Sequence, residues 1–475
     1  MTDWKRAAIV ALGGCAAFAA ILASSSPAAA AEVLDGAKLP WLLGLPFVGI
    51  LMSIAFAPLF VREWWHIHYA KAAAFWAFLT LAGLVAVKGF DVTAAAFVHN
   101  MALEYAPFIL MLLALFTAAG GIAITGSLNA TPLFNGAILA FGAGIASVIG
   151  TTGASMILIR PLIRANASRR FNAHVVVFFI FLVSNIGGAL SPLGDPPLFL
   201  GFLHGVDFFW TTQKLWPETL FAVGVLLALF LLIDAYYFKR EGRSGASGPI
   251  IPLRVKGLVN IALIGVVVAS IVASGLWRPD VSFDLYGTKI ELQNLVREAV
   301  MIGVALASLA LTNRASRAEN GFDWEPIREV AYLFAGIFTC IIPVMAMLKA
   351  GKDGPFAFVI GLLEHADGSP NNPVYFWTTG LLSSFLDNAP TYLVFFELAG
   401  GEAAKLMGPL ADTLAAISLG AVFMGANSYI GNAPNFMVYA IARDAGVKTP
   451  GFFRYMLWSG AILLPLFAAI TWLFM

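Results

Sequence analysis

Two aspartates stand inside long apolar stretches, each in a motif broken by Gly or Pro. Asp195 lies in Ser-Pro-Leu-Gly-Asp-Pro-Pro (191–197) and Asp387 in Ser-Phe-Leu-Asp-Asn-Ala-Pro (384–390). A carboxylate at bilayer depth costs roughly 2.5–3.5 kcal/mol even on lenient insertion scales. Helices interrupted around such groups are where secondary transporters hold substrate and coupling ions. The competing role for Asp195 is local: an Asp before Pro196-Pro197 is a good helix N-cap. The two roles are compatible, but a neutral Ser or Asn would cap without the charge penalty.

Uncharged polar residues surround the aspartates. Ser184, Asn185 and Ser191 precede Asp195, Thr151 and Thr152 lie in an earlier Gly-flanked break, and Asn388 and Thr391 follow Asp387. Asn427, Ser428, Asn432 and Asn435 sit in a late apolar segment. Together with unwound carbonyls, these oxygens suit a hard cation such as Na⁺. For an individual Ser or Thr the alternative is a helix–helix hydrogen bond. Glu397 is a weaker candidate. Glu104, Asp234 and Glu298 fall near predicted helix ends, where interfacial solvation is expected. The six histidines show no ligand spacing with carboxylates, and Cys15 and Cys340 fall in separate segments, so neither a metal site nor a disulfide framework is expected. There is no phosphate loop, no His-Glu-x-x-His and no Gly-x-Ser-x-Gly. The motifs of an ATPase or an intramembrane protease are therefore missing. Neither enzymatic activity nor a bound cofactor is expected.

The elements that must position these residues are set by composition. The chain of 475 residues is 60% hydrophobic and 12% charged, against about 25% charged in a soluble domain. Its mean hydropathy is +0.85. Apolar runs near twenty residues cross a ~30 Å hydrocarbon core as helix. The fold class is therefore all-α polytopic membrane protein. The basic residues are scattered among short loops, so no nucleic-acid partner is expected; the bilayer and small inorganic ions are.

Residues 1–31 read as a signal peptide: Lys5 and Arg6, an apolar stretch, then Ala29-Ala30-Ala31 as cleavage site. Full crossings are predicted at 40–60, 70–88, 105–124, 174–205, 218–238, 257–276, 294–312, 328–348, 411–440 and 455–475. Segments 133–163 and 373–399 break near their middles and read as re-entrant helical hairpins, whose irregular tips must be buried in protein or face a cavity. With the mature N-terminus outside, Lys and Arg concentrate in the loops assigned to the cytoplasm. Arg160, Arg164, Arg169 and Arg170 place the first hairpin on the cytoplasmic side; the second then enters from outside. Segments 61–71 and 239–257 are expected as cytoplasmic loops, the first carrying Trp64-Trp65-His66 as an interfacial anchor and the second separating the halves.

Residues 188–199 (GALSPLGDPPLF) and 425–436 (GANSYIGNAPNF) are identical at half their positions. The same register sets Gly150 on Asp387, Ser147 on Ser384 and Asp195 on Asn432. The halves, 32–238 and 257–475 around a 239–256 linker, begin on opposite sides of the membrane. That makes an inverted-topology repeat with two hairpins and two broken helices, 174–205 and 411–440.

The run Ser-Asn-Ile-Gly-Gly-Ala-Leu-Ser-Pro-Leu-Gly-Asp-Pro-Pro (184–197) resembles the signature of the ion transporter superfamily, which holds NhaD-type sodium/proton antiporters, arsenite-efflux carriers and citrate-transporter-like proteins. Leu-Asp-Asn-Ala-Pro (386–390) is similar to the Asp-Asn-x-Pro motif of the antiporter and arsenite-efflux branches. The resemblance covers the mature chain. It implies a homodimer in the inner membrane, with a fixed scaffold domain and a moving transport domain. Gly-Thr-Thr-Gly and Asp-Asn-Ala-Pro replace the Ser-Asn-Thr tips of sodium-coupled dicarboxylate carriers, which counts against di- and tricarboxylates. The expected function is exchange of Na⁺ or Li⁺ for H⁺ at Asp195 and Asp387. The alternative is a citrate, organic-anion or arsenite-type carrier coupled to H⁺ or Na⁺; the absence of Lys and Arg from the motifs weighs against it.

Overall fold

Gly and Pro decide where the long apolar runs of this chain stop being helix. The computed structural model describes residues 34–126, 130–241, 252 and 254–475. The expected signal peptide and most of the linker lie outside the described residues. The protein is an all-α polytopic membrane protein, and among the described residues nine helices are long and apolar enough to cross a membrane.

The order of elements runs twice. The first set opens with α1 (Leu45–Phe60), α2 (Arg62–Lys88) and α3 (Phe90–Ala119). A helical hairpin follows, α4 (Pro132–Ile149) and α5 (Thr151–Ala165). A broken helix, α6 (Ala173–Leu182) and α7 (Pro196–Leu203), then leads to α8 (Trp210–Glu241). The second set repeats the sequence of elements: α9 (Val259–Leu276), α10 (Leu292–Leu311) and α11 (Glu325–Lys349); the hairpin α12 (Asn372–Ser383) and α13 (Asn388–Leu398); the broken helix α14 (Ala411–Met424) and α15 (Ala433–Asp444), and last α16 (Phe452–Phe474).

Local chemistry explains the stops. Thr131 caps α4, its hydroxyl accepting from Phe134 N at 3.2 Å, with Pro132 in the first turn. Asn371 does the same for α12 through Val374 N at 3.3 Å. Gly150 turns the first hairpin with φ of 82°, a conformation that favours glycine. Pro196 and Pro434 sit in the first turns after the two breaks, where a missing N–H costs nothing.

The broken helices form the centre. Every residue of α6 from His174 to Leu182 is buried, as is every residue of α14 from Thr413 to Met424; helices apolar all round belong in a core. By contrast α2 exposes Phe75 and Phe78 on its outer face. The second arm of each hairpin reaches across to the other half: α13 packs on α7, and α5 packs on α15.

Several boundaries differ from the sequence reading. Residues 62–69 are helix, because Arg62–Lys71 contains no Gly or Pro and α2 starts directly after Val61. Trp65 is buried while Trp64 and His66 are exposed, so Trp65 drops out of the expected anchor. The third crossing starts at Phe90 and passes through a π turn at Met101–Tyr105; His99, Asn100 and Glu104 interrupt its apolar pattern and hid its first half. The second broken helix runs on to Asp444. The linker keeps α8 helical to Glu241, and Arg254–Lys256 pairs antiparallel with Ala123–Thr125. A second small ribbon joins Ser282–Leu285 to Thr288–Glu291.

Candidate functional site

The two breaks and the two hairpin tips meet at one place, and Asp195 is at its centre. Asp195 occupies the position before α7, yet its side chain makes no cap bond. It turns away from its own helix. Oδ1 accepts from Thr151 Oγ1 at 3.1 Å and Asn432 Nδ2 at 3.0 Å, and Oδ2 accepts from Asn388 Nδ2 at 2.5 Å. The expected local capping role for Asp195 is thus absent. The donors come from the tip of each hairpin and from the opposite break. All are neutral, and Asp195 is 1% exposed.

Asp387 behaves differently. It does cap: Oδ1 accepts from Ala389 N at 3.0 Å at the start of α13. It is partly exposed to a cavity of about 60 Å³, lined on one wall by Gly150, Thr151, Thr152, Gly194, Asp387 and Asn432. That is room for a few waters or an ion. The other wall is apolar, with Phe108, Met111 and Leu115 of α3 and Val330 and Phe334 of α11. Among the described residues, Asp387 is the only ionisable side chain in the lining.

The helix starts that follow Gly150, Asp195, Asp387 and Asn432 all lie at this junction. Such ends carry partial positive charge, and the two carboxylates sit where it helps them most.

The remaining polar residues hold the breaks in shape. Ser147 Oγ donates to Gly187 O at 2.6 Å, and Ser191 Oγ donates to Ser147 O. Leu193 N donates to Ser191 Oγ at 3.2 Å. In the second half Ser384 Oγ reaches Met424 O at 3.1 Å, Ser428 Oγ donates to Ser384 O at 2.5 Å, and Ile430 N donates to Ser428 Oγ at 3.3 Å. Adding 237, the separation of Asp195 and Asn432, carries each bond of the first set onto its counterpart. The repeated glycines have the same logic. A Cβ on Gly194 would strike the Gly188 carbonyl, and one on Gly431 would lie 2.6 Å from Ser383 O and 2.8 Å from Gly425 O.

Other expected site residues are distributed around the centre. Asn185 Oδ1 accepts from Asn432 Nδ2 at 3.3 Å, and Asn185 Nδ2 donates to Asn435 Oδ1 at 2.7 Å. Ser184 contributes its carbonyl to Asn432 at 3.2 Å, while its hydroxyl pairs with Ser155 at 2.9 Å. Thr391 bonds back to Asp387 O at 2.9 Å. Asn427 Nδ2 donates to Ser384 Oγ at 2.9 Å, making it part of the second break's frame. Asn388 Oδ1 and Asn427 Oδ1 are buried acceptors with no donor among the described residues.

Three acids expected at solvated helix ends are elsewhere. Asp234 is completely buried, paired with Arg169 Nη1 at 2.5 Å and His174 Nε2 at 2.8 Å, and accepting from Asn135 at 3.0 Å. Arg169 also holds Glu241 at 3.1 Å. This network ties both ends of the first hairpin to α6 and α8. Glu104 lies mid-helix in the π turn, 3.4 Å from His204. Glu298 lies inside α10 beside Arg297, at 3.5 Å. The sequence reading found no histidine–carboxylate spacing because these partners are far apart in the chain. No group of three or more metal-ligating side chains occurs among the described residues.

A family model described as "Putative citrate transport" matches residues 36–475. The chain belongs to that family. The comparison with curated proteins gives no match. Membership in this citrate-transport family agrees with the superfamily resemblance of the 184–197 motif and places both breaks, both hairpins and the cavity inside the matched region. The chain is thus a multi-pass membrane protein of a transport family, and the matched segment contains every residue bonded to Asp195.

Proposed function

We propose that this protein is a secondary transporter of the cytoplasmic membrane that exchanges Na⁺ or Li⁺ for H⁺ by alternating access. The observation that carries the reading is the Asp195 carboxylate, buried among neutral donors from both halves, with Asp387 the sole ionisable group in the adjoining cavity. A buried carboxylate with no cationic partner is costly. A proton or a metal cation relieves that cost, and the two compete for the same oxygens. Exchange follows without ATP. The unpaired Asn388 Oδ1 beside Asp195, with Thr151 Oγ1, supplies further oxygens for a dehydrated cation.

In this reading the hairpins and broken helices form the moving unit. The apolar wall from α3 and α11 belongs to the fixed scaffold, and the cavity is the seam between them. The halves are inverted in the membrane, with the first hairpin entered from the cytoplasm and the second from outside, and the protein works as a homodimer.

The family's description favours a second reading, uptake of citrate or a related anion coupled to H⁺ or Na⁺. The converging helix starts would suit an anion. Facing two aspartates and no basic side chain, a citrate would enter only with cations or protons, so Asp195 and Asp387 keep their roles as cation sites.

Purified protein in liposomes with an internal pH dye separates the readings. Pulses of Na⁺ and Li⁺, but not K⁺ or citrate, should move protons if exchange is correct. Accumulation of labelled citrate that depends on a cation gradient would establish the second reading instead. Rates equal to protein-free liposomes for every solute would overturn both.

A further inference from the structure

A second cavity, of about 480 Å³, lies away from the transport site, between the start of α6 and the start of α16. Its lining includes His174, Lys448, Thr449, Arg454, Leu457 and Trp458. We propose that it binds the phosphate headgroup of an anionic membrane lipid.

The charge comes first. Lys448 and Arg454 are exposed, and neither makes an ion pair among the described residues. Two basic side chains therefore face one concavity with no acidic partner among the described residues. Two helix starts add to them: neither Asn172 before α6 nor Gly451 before α16 provides a side-chain cap, so first-turn N–H groups are free for an anion. His174, already held by Asp234 at 2.8 Å, closes the inner end.

The position selects a lipid over a soluble anion. Arg454 is in the first turn of the membrane-spanning α16. Trp458 lies one turn deeper on the same face, the usual depth of an interfacial aromatic. Leu457 and Phe453 beside it are 72% and 79% exposed, an apolar surface along which acyl chains can run. Phosphate at Lys448 and Arg454 with chains over Leu457 satisfies both parts of the cavity at once. Basic pockets between membrane helices take such headgroups. The loops that border the cavity, 160–174 and 441–454, both fall on the cytoplasmic side if the Lys and Arg distribution sets the topology, and anionic lipids concentrate there.

Native mass spectrometry of the purified full chain in a neutral detergent tests this, with phosphatidylglycerol and phosphatidylcholine at equal concentration. Phosphatidylglycerol should be retained and phosphatidylcholine lost. Each basic residue near an anionic surface contributes about fivefold in affinity, so the double variant Lys448→Gln/Arg454→Gln should bind phosphatidylglycerol at least tenfold more weakly. Its melting temperature without added lipid should match the wild type, since both side chains are exposed. Equal retention of the two lipids by the wild type, unchanged binding in the folded double variant, or displacement by inorganic phosphate at matched concentration would each overturn the proposal. The wild-type comparison decides even if the double variant is unstable.

Discussion

Replacing Asp195 by Asn is the sharpest perturbation this structure offers. The carboxylate accepts Thr151 and Asn432 on one oxygen and Asn388 on the other. In the Asn variant the oxygen can keep Thr151 and Asn432, which leaves the new NH₂ facing the Asn388 amide. Asn388 Oδ1 has no donor of its own, so a flip of that amide turns the clash into a hydrogen bond. The variant loses charge-assisted bonds worth about 1.5–3 kcal/mol each and regains neutral ones of about 1 kcal/mol. It also sheds a buried charge costing roughly 2.5–3.5 kcal/mol. Over the three bonds the mid-range values nearly cancel, leaving a stability change of about 1 kcal/mol. Transport is a different matter, because an amide neither titrates nor neutralises a cation, and rates should fall at least a hundredfold. Asp195→Ala should separate stability from charge in the opposite sense. It strands the Thr151, Asn388 and Asn432 donors at about 1–3 kcal/mol each, so it should be clearly unstable as well as inactive. Liposome exchange rates and melting curves on both variants are the assay. Wild-type rates in Asp195→Asn would refute the carboxylate mechanism, and a large loss of stability in that variant would refute the flip of Asn388.

Asp387→Asn should keep the α13 cap, since Asn caps about as well as Asp, and should lose transport with a melting temperature near wild type. Gly194→Ala and Gly431→Ala each drive a methyl into backbone carbonyls and should cost at least the 1–3 kcal/mol of an overpacked core, whereas Gly303→Ala, with nothing within 4 Å, should not destabilise; thermal unfolding of the three compares them directly. In sealed cells, a cysteine at position 404 should react with an impermeant maleimide and one at 168 should not; labelling of 168 would remove the inverted arrangement of the hairpins.

The centre of this site was legible because bilayer depth makes polar residues conspicuous. Asp195, Thr151, Asn388 and Asn432 were all identifiable from their apolar surroundings and from one internal register. What the sequence hid was direction. An Asp before two prolines reads as a cap, and only the fold shows its side chain turned to the opposite half. The Asp234–Arg169–His174 network was hidden for a related reason: these residues lie near ends of predicted segments, where charge is ordinary, and nothing local reveals that they bury one another. The apolar wall of the cavity leaves no sequence signal either, because Phe108 and Phe334 look like any other residues of a membrane helix. Helix starts at Arg62 and Phe90 were missed because polar side chains ride on helices as readily as in loops when no Gly or Pro intervenes.

The crossing of each hairpin's second arm to the other half has a consequence for biosynthesis. Asn388 and Asn432 follow Asp195 by 193 and 237 residues. At roughly 5–20 residues per second, the ribosome delivers them about ten seconds to a minute after the carboxylate itself. Throughout that interval the nascent first half has its charged centre assembled only as far as Thr151, and α7 has no α13 to rest against. The first half is therefore an unfinished object whose completion is scheduled by the second, and the membrane insertion machinery must shelter it until the chain is nearly complete.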